Sequence, residues 1–145
     1  MRREIILDLA NAMEAGSPVL GFNAKSYCCN RRLVDPSRVD HSGGDHDWVG
    51  DLCAWAAHLY DSSRKRRHVP LDPPLVLELF NQTSGLEHLA KILDIEEFQA
   101  SLLSAPDGVA WTRITLAEQV DVLRHFAETE KIVWAFSGGE ESEDV

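Results

Sequence analysis

The stretch Asp40-His41-Ser42-Gly43-Gly44-Asp45-His46-Asp47 gathers three carboxylates and two imidazoles into eight residues, and Asp51 and His58 extend the series. Metal ligands and general acid–base pairs are made from these side chains. A small metal-dependent enzyme using His41, Asp45, His46 and Asp51 is one function that such a cluster allows. The spacing, however, matches none of the established patterns. A calcium loop begun at Asp45 has Asp47 at its third position and Gly50 at its sixth, but Val49 fills the fifth and Ala56 stands where a bidentate Glu is required. A zinc hydrolase helix sets two histidines one turn apart, whereas His41 and His46 are five residues apart in a glycine-rich segment. Ser42 lacks the Gly-x-Ser-x-Gly elbow of a hydrolase nucleophile, and the chain has neither a Walker loop nor a Gly-x-Gly-x-x-Gly turn. The same residues have a structural use. Asp45 or His46 can begin a helix at Trp48, with Asp47 and Asp51 complementing its positive end and His41 solvated. His88 and His125 fall within predicted helices and read as packed or half-exposed, not as ligands.

The elements that must position these groups are mostly helical. Ile5, Ile6, Leu9 and Met13 recur at helical spacing before Gly16 and Pro18, which predicts a helix over Arg3 to Ala15. Residues 17–46 show no sustained period and read as a long irregular connection. From Asp47 to Asp61, Trp48, Leu52, Trp55 and Leu59 form one apolar stripe, with Val49, Cys53, Ala56 and Tyr60 beside it. A helix apolar around so much of its circumference belongs in the core. Three short helices are predicted at Leu75–Phe80, Leu86–Leu93 and Glu96–Leu103, the last opened by a capping pair of Asp94 and Glu97. Thr115-Leu116-Ala117-Glu118 is the clearest capping box, and Leu116, Val120, Leu123 and Ala127 give its helix an apolar face. Val109–Ile114 and Ile132–Phe136 are rich in β-branched and aromatic residues and read as two short strands pairing around that helix.

Charge is distributed unevenly. Residues 1–68 carry a net +1 and residues 69–145 a net −11, for −10 in all. Acids at helix starts are ordinary stabilisers, which accounts for Glu96, Glu97, Glu118 and Asp121. Glu128 and Glu130 close a helix whose end prefers cations. Either the second half is merely a well-solvated acidic surface, or it docks on a basic one, where complementary fields speed encounter. The run Arg64-Lys65-Arg66-Arg67-His68 reads as a solvated loop or as an internal partner for the acids. One basic run in an acidic chain disfavours direct nucleic-acid binding.

With 145 residues, 44% of them hydrophobic, the chain is expected to form a single domain over 1–137 followed by an acidic disordered tail at 138–145. No apolar run approaches the ~20 residues of a membrane span, and Met1 leads into an acidic amphipathic segment and not a secretory signal, so a soluble cytoplasmic protein is expected. Cys28, Cys29 and Cys53 are odd in number, and a bond between the adjacent pair would be strained, so reduced thiols are expected.

Gly21-Phe22-Asn23, Cys53-Ala54-Trp55-Ala56-Ala57, and Ile114-Thr115 through Val122-Leu123 to Val133-Trp134 together cover about half of the chain. In these stretches the chain resembles a loose group of small bacterial and phage proteins of undefined activity. That group opens its middle helix with a cysteine-glycine pair, where this chain has Val49-Gly50. The resemblance implies a helical fold and a mobile-element setting.

These readings converge on a mainly α protein, a single helical domain with a short two-stranded β element near its C-terminus. The expected role is non-enzymatic, without cofactor, metal or catalytic residue. It is an intracellular, phage-type inhibitor of a nucleic-acid-handling complex (anti-CRISPR or anti-restriction) that occupies a basic groove with Asp94, Glu96, Glu97, Glu118, Asp121, Glu128 and Glu130. Its partner is thus a protein with a basic surface, neither nucleic acid nor membrane. Oligomeric state is left open, since the Trp stripe could equally serve a homodimer.

Overall fold

The computed structural model describes residues 1–24, 28–30, 46–105 and 114–134. Helix α1 (Arg3–Ala15) buries Ile5, Ile6, Leu9, Ala10 and Met13 and stops at Gly16, whose φ of 91° suits a residue without a Cβ. Its apolar stripe lies on α6 (Leu116–Thr129), which buries Val120, Val122, Leu123, Phe126 and Ala127 in return. Each large aliphatic or aromatic side chain so buried contributes about 1.5–3 kcal/mol. Polar links flank the seam: Arg3 Nε donates to the Ala127 carbonyl at 2.5 Å, and Arg124 meets Glu14 at 2.7 Å and Asn11 at 2.8 Å.

Helix α2 (Leu52–Leu59) is buried at every residue and runs through the middle of the molecule. It is shorter than the Asp47–Asp61 pattern suggested. Trp48–Gly50 form strand β3, and Asp51 caps the helix by accepting the Ala54 amide at 3.1 Å. Trp48 and Val49 satisfy the helical stripe and strand alternation equally well, so the cap decides where the helix starts. The sheet has the order β1-β3-β2. β1 (Gly21–Phe22) runs parallel to β3, and β2 (Cys28–Asn30) antiparallel to it, with Cys29 opposite Val49.

Among the described residues sheet structure therefore lies at 21–22, 28–30 and 48–50, and the expected β element near the C-terminus is corrected. Ile132, Val133 and Trp134 are not in a strand. Trp134 is buried and its indole donates to the Leu102 carbonyl at 2.8 Å, while Val133 is half exposed. The alternation that suggests a strand here serves an extended segment laid over helices. Val109–Arg113, Ala135–Phe136 and the proposed tail at 138–145 lie outside the described residues, as do Asp40, His41, Ser42 and Asp45.

Helices α3 (Pro73–Phe80), α4 (Gly85–Leu93) and α5 (Glu97–Ser104) complete the six described helices. α3 starts two residues before its predicted bound, because Pro73 and Pro74 occupy first-turn positions where a missing N–H costs nothing. The capping pair expected at Asp94 and Glu97 is displaced. Asp94 instead ends α4 with a left-handed φ of 59°, and Gln99 Oε1 accepts the Glu96 amide at 3.0 Å to open α5. Thr115 and Glu118 form the predicted box, with Glu118 Oε1 accepting the Thr115 amide at 2.9 Å and Thr115 Oγ1 accepting the Glu118 amide at 3.2 Å. Cys28 and Cys53 are buried and form no disulfide among the described residues, and the Cys28 thiol donates to the Pro73 carbonyl at 3.5 Å. No described helix is long and apolar enough to cross a membrane.

Candidate functional site

The seven acids singled out from sequence sit at the end of α4, the start of α5 and along α6, and they divide by what they touch. Asp94 is paired to Arg64 at 3.1 Å, so part of the basic run does serve the acidic half. Arg66 turns instead to Asp8, at 2.5 Å, and Arg67 donates to the Ala57 carbonyl at 3.1 Å. Glu118 is spent on its capping box, and its Oε1 also accepts from the Thr115 hydroxyl at 3.0 Å. Asp121 lies in the field of Arg124. Glu96, Glu97, Glu128 and Glu130 are exposed and have no ion pair among the described residues.

Helical geometry groups these acids into two sets and no single cluster. Glu96 and Glu97 are adjacent at the N-terminal end of α5. Asp121 and Glu128, seven residues apart, share one face of α6, and Glu130 ends that helix in a left-handed conformation with φ of 62°. The two helices are tied together at the other end of α5, where Gln119 Nε2 donates to the Leu103 carbonyl at 2.8 Å.

Phe98 is the residue that sequence reasoning missed. It is 65% exposed, directly after Glu96, whose carboxylate takes part in the capping box of α5, and Glu97. Its signal lies in the register of α5. Ala100 and Leu103 are fully buried, and Phe98, two positions before Ala100, is turned about 200° from it around the helix.

The histidine and aspartate segment comes together differently from either reading of it. His46 Nε2 donates to the Ser17 carbonyl at 2.7 Å, beside an open cavity of about 480 Å³ lined by Pro18, Val19, His46, Asp47 and Trp48. His58 Nδ1 donates to the Leu71 carbonyl at 2.7 Å, and its Nε2 faces the Ser17 hydroxyl at 3.4 Å. Ser17, not singled out beforehand, is thus the meeting point of two imidazoles. The pairing resembles half of a hydrolase triad, but Ser17 Oγ already accepts the Val19 and Leu20 amides at 3.2 and 3.3 Å. A hydroxyl so engaged is a turn anchor and a poor nucleophile. Burial, the largest cause, holds His58 below its ordinary pKa of 6.5, so the ring is neutral and suited to this bridging role.

Asp51 is committed to its cap. Burial pushes its carboxyl up to about 8 against the opposing pull of the Ala54 and Cys53 amides. Burial likewise raises the Cys53 thiol well above its ordinary range, which leaves it unreactive. Among the described residues no group of three or more His, Cys, Asp or Glu could hold a metal ion. His46 and Asp51, the described half of the metal alternative, are each bound to backbone.

No family model matches the chain, and no curated protein or solved structure is similar to it. The functional reading rests on the surface chemistry above.

Proposed function

We propose that the chain is a non-enzymatic binding protein that docks on a basic protein surface through the start of α5. Phe98 is the apolar anchor, Glu96 and Glu97 are the flanking charges, and Asp121, Glu128 and Glu130 extend the acidic field along α6. The observation that carries this reading is a phenyl ring left 65% exposed beside two carboxylates without ion-pair partners among the described residues. A buried aromatic at the centre of a polar rim is the arrangement in which a few residues supply most of the affinity.

A Lys/Arg-lined groove of a nucleic-acid-handling protein has the matching chemistry. Carboxylates seated there exclude phosphates from the same cations, which is how an inhibitor of anti-CRISPR or anti-restriction type would act. A net charge of −10 supports this direction of docking and weighs against the chain binding nucleic acid itself.

The test is capture of a basic partner by the immobilised chain, with duplex DNA as competitor. Phe98→Ala and the double variant Glu96→Lys/Glu97→Lys should each weaken capture about tenfold or more. DNA should displace the chain. Capture indifferent to both variants, or to DNA, would overturn the proposal.

A further inference from the structure

A second concave site lies away from α5. The loop after α2, the segment that follows α3 and the outer side of α4 enclose a cleft of about 350 Å³, within the size range of small-molecule pockets. Its basic wall is Arg67, His88 and Lys91. Arg67 is fixed through its Nε, which donates to the Ala57 carbonyl at 3.1 Å, and through its amide, which donates to the Leu59 carbonyl at 2.6 Å. The terminal guanidinium nitrogens carry no further hydrogen bond among the described residues. Lys91 has no ion pair there either.

His88 is the unusual member. It is 7% exposed, and its Nδ1 is sealed from solvent with no hydrogen-bond partner. A buried lone pair without a partner costs less than a buried N–H without one, so the ring proton belongs on Nε2, leaving that atom as the ring's donor toward the cleft. Arg67 and Lys91 line the same cleft as the imidazole, and their charges act on it together with the opposing charge of Asp61. Ser62 and Thr83 add hydroxyls to the lining.

Asp61 and Glu87 balance the formal charge of Arg67 and Lys91, so the cleft offers directed donors and not a net positive field. Asp61 Oδ1 is turned into its own loop, accepting from the Ser63 amide at 2.9 Å and the Ser63 hydroxyl at 2.5 Å. Glu87 lies one turn before Lys91 on α4 and suits a ligand hydroxyl. Guanidinium, ammonium, imidazole N–H and hydroxyls converging on one space are the donors that a tetrahedral oxyanion requires.

We infer that this cleft binds a small phosphate monoester bearing hydroxyl groups, with the phosphate held by Arg67, Lys91 and His88. The site is independent of the docking face at Phe98, so either can fail without the other.

Inorganic phosphate is the probe, titrated into the full chain with chloride and acetate at matched ionic strength. The imidazole resonances of His88 and His125 are followed by NMR, with His88→Gln supplying the assignment. The expected result is a saturable shift of His88 but not His125, specific to phosphate, with Kd on the order of 1 mM. Lys91→Gln, at an exposed position, should weaken it about tenfold, and Lys131→Gln should leave it unchanged. Absence of a saturable shift would overturn the inference. So would an equal response to chloride, or one that persists undiminished in Lys91→Gln.

Discussion

The ring of His58, inside α2, faces the hydroxyl of Ser17 across 3.4 Å, so the central helix holds the turn that follows α1. Ser17 in turn accepts two backbone amides and offers its carbonyl to His46. One small residue therefore joins α1, the strand region and α2. Ser17→Ala removes the hydroxyl that serves His58 and the Val19 and Leu20 amides, leaves the carbonyl that accepts from His46, and should lower stability by about 1–2 kcal/mol, measured by chemical denaturation.

Gly16 tests the end of α1 in a different way. A Cβ there meets nothing within 4 Å, so the cost of Gly16→Ala is purely conformational, set by a φ of 91°. A loss of about 1–2 kcal/mol is expected, visible as a lowered unfolding midpoint. An unchanged midpoint would mean that the turn relaxes to a negative φ.

The buried titratable groups make stability depend on pH in two opposite ways. His58 and His88 are both held below 6.5, chiefly by burial. Neutral when folded, they take up protons more readily once unfolded. Their share of stability is full above pH 6.5 and declines as pH falls through 6.5 toward their lower native values. Asp51 runs the other way, because its native value is raised from 3.8 to about 8. Its share is full below pH 3.8 and is lost as pH rises through about 8. Asp51→Asn keeps a capping side chain and removes this titration. Thermal unfolding should therefore show the variant gaining on the wild-type chain from pH 4 to pH 8, and a constant difference across that range would contradict the assignment.

Where local chemistry and tertiary packing agree, the sequence was a sufficient guide. The α1 stripe and the Thr115–Glu118 box predict two helices that the fold contains, because both faces and both ends are specified by nearby residues. The helix expected from Asp47 was misjudged at its start. Trp48-Val49-Gly50 pairs as a strand with residues 21–22 and 28–30, which buries Val49 and Gly50, a non-local contact that periodicity does not encode. The C-terminal strand failed for a related reason, since alternating burial at 132–134 arises against helices. Of the candidate site, the acids were legible as acids, but their pairing was not. That Arg64 takes Asp94 while Glu96 and Glu97 have no ion pair among the described residues depends on where the loop after α2 crosses α4.

Phe98 separates binding from stability. At 65% exposure it adds little to the core, so Phe98→Ala should leave the unfolding free energy within about 0.5 kcal/mol. Tyr60 provides the contrast. It is buried with its hydroxyl donating to Asp8, and its phenol is raised above its ordinary pKa of 10, first by burial. Tyr60→Phe should cost about 1 kcal/mol in the same denaturation experiment.

Hydrogen–deuterium exchange of the chain, alone and with its captured basic partner, tests the docking face most directly. Partner-dependent protection is expected at the start of α5 around Glu96, Glu97 and Phe98, with a weaker effect on the outer face of α6 at Asp121 and Glu128. Protection confined to other elements, with the start of α5 exchanging as it does in the free chain, would contradict the account.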